Sequence, residues 1–228
     1  NFNKTIITKS NKIKIIPKKI DLCIISTTCQ NRHKLLRELT KQSNFTNLIL
    51  EKPLTQSPKE LLKLNTILKN KTNIWVNTDR RILEVYKFIK SNLDIKKKLF
   101  MNVEGNSWGI CCNSLHFVDL FNFFCNEYSY TIKEKSIFKW IKSKRNGFKE
   151  LDNGKLELKF GNHKLCLLSK KNSLPKNVKI SIKNGKKNFL VKEKTDTFEL
   201  KHNKKKIIFK NEPTSIKMTN IIKKMLLE

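Results

Sequence analysis

The 228 residues are enough for one large domain or two small ones, and a hydrophobic share of 38% rules out a disordered chain. No apolar run reaches the roughly 18 residues of a membrane-spanning helix, so a helical membrane protein is excluded. A net charge of +30 raises the question of a polyanion partner, but the charge is almost all lysine, Arg occurs only at 32, 37, 80, 81 and 145, and alanine is absent. That pattern follows A/T-rich codon usage, and the lysines are spread along the chain rather than gathered into a patch. A solvated lysine surface is therefore expected, with no specific nucleic-acid partner. Weak, salt-sensitive binding to nucleic acid follows from the charge in any case.

In chain order, residues 20–26 form a short buried-strand pattern, and 32–42 a helix with Leu35, Leu36 and Leu39 on one face. A second strand spans 47–50. Ser57, Pro58 and Glu60 then form a capping box, with proline at the first helical position, for a helix running to about Lys69. Its apolar side is Leu61, Leu62, Leu64 and Leu68. Residues 73–77 give a third strand, and 80–93 a third helix with Ile82, Val85, Tyr86 and Ile89 inward. Strands alternating with helices across short links predict a parallel sheet covered by helices. The texture changes after residue 98. A strand at 99–103 and a helix at 113–124 precede alternating segments at 156–160, 164–168, 178–182, 189–191, 198–200 and 207–209. Turn signals at Gly161-Asn162 and Asn184-Gly185 make these antiparallel hairpins. Residues 1–97 and 98–228 are expected to be separate domains.

Ligands of open parallel sheets bind beyond the carboxyl ends of the strands. Two polar segments stand there: Thr27 to His33 after the first strand, and Glu51-Lys52-Pro53 after the second. Either is, alone, an ordinary strand end. Their common edge favours a ligand. The six cysteines, at 23, 29, 111, 112, 125 and 166, form no C-x-x-C pair and have no His cluster at zinc spacing, so no metal site is expected. Cys23, inside an apolar run, is expected in the core. The chain reads as a reduced, cytoplasmic protein.

Thr28-Cys29-Gln30-x-x-His33 is similar to a T-P-N-x-x-H signature. It is followed by Glu51-Lys52-Pro53 and then by a W-G-x-x-x-N-x-x-H-x-x-D-L segment from Trp108 to Leu120. In this order they resemble the glucose-fructose oxidoreductase / inositol dehydrogenase / rhizopine catabolism (Gfo/Idh/MocA) family, along essentially the whole chain. The resemblance implies a partial Rossmann-type parallel sheet followed by an α+β domain with a mostly antiparallel sheet. It implies an oxidoreductase using NAD or NADP to move hydride to or from a sugar, sugar-nucleotide or cyclitol carbon, with surface-polysaccharide sugar metabolism as an expected setting. Lys52 and His116 are then the catalytic pair, and the Lys52–Pro53 bond is expected to be cis. Thr28, Gln30, His33, Glu51, Lys52 and Pro53 face the cofactor. Arg81, Trp108, Asn113 and Asp119 are candidates for substrate, although Trp108 also fits a core aromatic and Asp119 a structural role. Subunits are expected to pair through the antiparallel sheet into a homo-oligomer.

Two departures stand out. Many members carry an Asp four residues before the histidine, where this chain has Cys112. No G-x-G-x-x-G turn is present, and all six glycines lie at 105 or later. The sequence is accordingly expected to lack its first strand–helix–strand unit and a stretch at the other end. A non-catalytic relative that binds a sugar nucleotide or a partner is the alternative function.

Overall fold

The structure, a computed structural model, describes residues 16–69, 73–143, 146–171 and 178–227. They fall into two compact units, one running up to Asn77 and including the chain from Ile221 onward, the other running from Thr78 to Asn220.

The first unit contains β1 (Lys19–Ile25), α1 (Arg32–Gln42), β2 (Asn44–Glu51), α2 (Pro58–Leu68) and β3 (Asn73–Asn77). The strands pair in parallel in the order β1-β2-β3. β2 is the middle strand. Its Leu48, Ile49 and Leu50 are all buried, which is why it reads as a continuous apolar run rather than an alternating one. Leu36 and Leu39 of α1 and Leu64 and Leu68 of α2 close the core over Leu48, Leu50 and Ile25. Cys23 packs against this core, and burial raises its thiol pKa. Leu61 and Leu62, expected inward, are exposed, so α2 buries a narrower stripe than its sequence suggested. The Ser57 cap forms, its Oγ accepting from the Glu60 amide at 3.3 Å, while Glu60 reaches back one residue past the cap and accepts from the Gln56 amide at 3.1 Å.

The second unit runs from Thr78 to Asn220. It begins with a 3-10 helix (Asp79–Ile82) and α3 (Glu84–Asn92), followed by β4 (Leu99–Asn106) and α4 (Ile110–Cys125). Seven strands follow: β5 (Thr131–Lys142), β6 (Lys149–Phe160), β7 (His163–Lys170), β8 (Val178–Asn184), β9 (Lys187–Glu193), β10 (Thr197–His202) and β11 (Lys205–Lys210). The eight strands form one sheet, β11-β10-β9-β8-β4-β7-β6-β5. Adjacent strands run antiparallel except β4 and β7, which pair in parallel. Gly161 and Gly185 take positive φ in the turns flanked by β6 and β7 and by β8 and β9, a conformation glycine adopts without a Cβ penalty. α5 (Thr214–Leu227) ends the described chain.

α3 and α4 cover one face of this sheet. Val85, Tyr86 and Ile89 pack with Phe117, Leu120, Phe121 and Phe124 on alternate strand residues such as Met101, Val103, Leu165, Leu167, Ile180 and Val191. This shared core is why the division falls at Asn77/Thr78 rather than at the expected 97/98: α3 belongs with the large sheet. The expected single helix at 80–93 is also divided, because Leu83 is extended (φ −73°, ψ 133°) between the 3-10 turn and α3. Among the described residues, no helix is long and apolar enough to cross a membrane.

Candidate active site

In the first unit, the carboxyl ends of the three strands form a polar edge. Arg32, the first residue of α1, is 1% exposed and binds this edge together. Its guanidinium donates to the Thr27 carbonyl beyond β1 and to the Glu51 carbonyl at the end of β2. It also donates to the carbonyls of Pro53, at 2.7 Å, and Leu54, at 3.3 Å. Burial lowers its pKa, while the nearby Cys29 and Glu51 partly restore it. The two segments singled out in the sequence are thus tied by one side chain. The Glu51 carboxylate accepts from the Asn77 amide at the end of β3, which links the third strand to the same edge. The Lys52–Pro53 bond is cis, as the resemblance implied.

Thr28 and Gln30 lie exposed on the turn after β1, while Lys52 and Pro53 are half-buried. His33 is different. It is buried, with Nδ1 3.7 Å from a Glu60 carboxylate oxygen, so its observed contact is with α2. Glu60 therefore serves both the cap of α2 and the packing of α1 on α2.

In the second unit a cavity of about 290 Å³ opens beside α4. Its walls include Asp79, Arg80, Trp108, Asn113, His116, Glu193 and Lys217. This is near the lower end of the roughly 300–1,000 Å³ typical of small-molecule pockets. His116, on the face of α4 toward the cavity, has Nδ1 3.5 Å from Asp79 Oδ1, and both side chains are largely enclosed, at 16% and 28% exposure.

Arg80 anchors the wall. Its guanidinium forks onto the Glu193 carboxylate of β9, reaches the Tyr86 hydroxyl at 3.3 Å, and lies 4.2 Å over the Phe117 ring. Burial works against the guanidinium charge, but the Glu193 carboxylate outweighs it and holds Arg80 above its ordinary pKa. Tyr86 donates to Glu193 at 2.5 Å, and burial followed by that carboxylate raises its phenol pKa well above the usual value. Burial lowers the ammonium pKa of Lys217, with Asp79 and Glu212 opposing.

Trp108 is 7% exposed, its indole N–H donates to the Leu168 carbonyl at 2.9 Å, and its ring meets Phe117 edge-on. It is a core aromatic with one side on the cavity. Asn113 lines the cavity and donates to the Trp108 carbonyl at 2.8 Å. Arg81 and Asp119 pair with each other in a two-pronged ion pair and are not among the residues lining this cavity, whereas Arg80 is.

Sequence reasoning missed Asp79, Glu193, Lys217 and the role of Arg32. Asp79 had one available signal: it follows the third parallel strand, next to Arg80-Arg81. Glu193 had none, because its partners lie 107 and 113 residues away.

No family model and no curated protein sequence matches the chain. Solved structures do. A dehydrogenase (MviM) from Clostridium difficile superposes with a TM-score of 0.67 at 16% identity, over 90% of this chain and 69% of that one. UDP-N-acetylglucosamine 3-dehydrogenase GnnA from Acidithiobacillus ferrooxidans gives 0.65 at 10% identity, over 90% and 68%. Levoglucosan dehydrogenase, in complex with NADH and levoglucosan, gives 0.61 at 14% identity, over 85% and 62%. The chain therefore has the fold of these dehydrogenases, a parallel α/β sheet followed by a mixed, mostly antiparallel one.

Proposed function

We propose that the chain is an oxidoreductase of the Gfo/Idh/MocA type, acting on a hydroxyl carbon of a sugar, sugar nucleotide or cyclitol with NAD or NADP. The observation that carries this is the Glu51-Lys52-Pro53 turn at the carboxyl edge of a parallel sheet, tied by Arg32 to the Thr27 turn, in a fold shared with sugar dehydrogenases.

The residues present fit one end of a nicotinamide cofactor. Thr28, Gln30, Glu51 and Lys52 offer donors and acceptors where parallel sheets bind nucleotides. The glycine-rich turn that would cradle the pyrophosphate is not among these 228 residues. A bound nicotinamide supplies the two-electron acceptor or donor. The chain supplies the rest. Lys52 holds the substrate oxygen and stabilises negative charge developing on it. His116 takes the hydroxyl proton at Nε2 in oxidation and returns it in reduction. Trp108 and Asn113 shape the cavity. His33, fixed against Glu60, supports the edge from below, and the Arg81–Asp119 pair braces the 3-10 helix against α4. The uncovered face of the large sheet, with Phe100 and Ile208 exposed among lysines, is the surface through which subunits pair into a homo-oligomer. A reduced, cytoplasmic setting and a place in surface-polysaccharide sugar metabolism belong to the same reading.

A second reading, a non-catalytic relative that binds a sugar nucleotide or a partner, is favoured by Cys112 at the place of a carboxylate. Peptide-resolved hydrogen exchange with NADH and NADPH separates the two. The enzyme reading expects slowed exchange at 27–33 and 48–54. Protection by UDP-sugars alone, with none by either nicotinamide, supports the binding protein.

A further inference from the structure

We propose that Asp79 is the positioning residue of His116, delivering from the connection after β3 the carboxylate that α4 lacks at position 112. This rests on the reading of His116 as the acid–base group. One turn before His116 on the same helix stands Cys112, and the space at that end of α4 is already committed. Glu150 of β6 caps it, accepting from the Cys111 amide at 2.7 Å and the Cys112 amide at 3.2 Å. A carboxylate at 112 would meet the Glu150 charge at the same helix end.

Asp79 approaches His116 from the 3-10 helix instead. Its Oδ1 lies 3.5 Å from His116 Nδ1, ion-pair distance and slightly longer than a relaxed N–H···O bond. Catalytic contacts of this kind often tighten only when substrate arrives. What makes the placement more than chance proximity is its neighbour. Arg80, one residue on, is pinned to Glu193 of β9 and Tyr86 of α3, and its guanidinium stacks on Phe117, the residue next to His116. One buried ion pair therefore fixes both the segment bearing Asp79 and the turn bearing His116. Lys217 of α5 completes the charged surroundings, with Asp79 acting on its ammonium.

A carboxylate at Nδ1 holds the proton on that nitrogen. It leaves Nε2 as the atom that exchanges a proton with substrate, and it stabilises the imidazolium once formed. The charged groups that line the cavity with His116 are Asp79 and Arg80 from the 3-10 helix, Glu193 from β9 and Lys217 from α5. Arg80 and Glu193 neutralise each other, so Asp79 is the carboxylate that His116 experiences.

Ring-nitrogen NMR of the intact chain tests this, with His116→Gln assigning its signal among the four histidines. In the unsubstituted protein the neutral His116 ring carries its proton on Nδ1. In Asp79→Asn it titrates at lower pH than in the unsubstituted protein, while Asp119→Asn, on the same helix, leaves it in place. A neutral ring protonated on Nε2, or a His116 titration indifferent to Asp79→Asn, overturns the proposal. Because the tautomer is read without any substitution, a misfolded variant does not shield the idea. With a turned-over sugar substrate, Asp79→Asn lowers kcat by about 10²-fold, moves the acid limb of its pH profile to lower pH and leaves KM unchanged. If the unsubstituted protein shows no turnover, the oxidoreductase reading fails, and the NMR result still decides the Asp79–His116 pairing.

Discussion

Arg32 offers the sharpest test of how the first unit is built. Replacing it with Met keeps much of the length and apolar stem but removes the donors that reach four carbonyls at Thr27, Glu51, Pro53 and Leu54. A hydrogen bond from a charged donor contributes about 1.5–3 kcal/mol, and an acceptor left buried costs about 1–3 kcal/mol. The four do not add. Glu51, Pro53 and Leu54 are only half-buried and water can reach their carbonyls, and the buried guanidinium itself carries a desolvation cost that Met relieves. A net loss of about 3 kcal/mol follows, confined to the edge. At about 1.4 kcal/mol per tenfold, amides at 27–33 and 48–54 should exchange roughly 10²-fold faster in Arg32→Met, while those of β2 at Leu48 lag behind the loop residues. Arg32→Lys should fall between, since an ammonium cannot fork to both segments. Unchanged exchange in Arg32→Met at both segments would refute the view that this side chain joins them.

Other outcomes follow from the second unit. Tyr86→Phe removes one donor from Glu193 and should cost about 1–2 kcal/mol by urea denaturation near neutral pH. Because the folded-state phenol pKa is raised, Tyr86 supports folding below the ordinary tyrosine pKa of about 10 and loses that support as pH rises past it, so the difference between Tyr86→Phe and the unsubstituted protein should narrow above about pH 10. Glu150→Gln weakens the cap of α4 by about 1 kcal/mol in thermal denaturation. Partial burial of the sulfur and the Glu150 carboxylate push the Cys111 thiol up to about 12, so it should alkylate at pH 8 much more slowly than a free cysteine, and faster in Glu150→Gln. Nucleic-acid binding measured by fluorescence anisotropy should vanish at physiological salt if the lysines form only a solvated surface.

What the sequence made visible was local. α1 and β3 fall at their expected residues, and the Ser57–Glu60 box starts α2 where its hydrogen bonds now lie. Each is specified by neighbours within a few positions. β5 escaped notice for a physical reason: register shifts around Glu134, Lys139 and Trp140 break the period-2 alternation that reveals a strand. The 80–93 helix was read as continuous because nothing local shows that Glu193 and Asp119 capture Arg80 and Arg81 and hold a 3-10 turn there. The parallel pairing of β4 with β7 joins strands far apart in the chain, so no local pattern in either strand reveals it. Of the residues lining the cavity, His116, Trp108 and Asn113 were named from motif spacing alone. Asp79 and Glu193 were not, because their meaning lies in partners far along the chain.

The central claim is that Lys52 and His116 carry a nicotinamide-coupled redox reaction of a sugar hydroxyl. The measurement that bears on it most directly is formation of reduced nicotinamide when the chain is mixed with NAD or NADP and a panel of free sugars, UDP-sugars and cyclitols. It is run beside Lys52→Met and His116→Gln, each shown to be folded by circular dichroism. The account predicts turnover with at least one substrate and a loss of about 10²-fold or more in each variant. Turnover that survives both substitutions, or binding of UDP-sugars with no reduction of either nicotinamide, would contradict it.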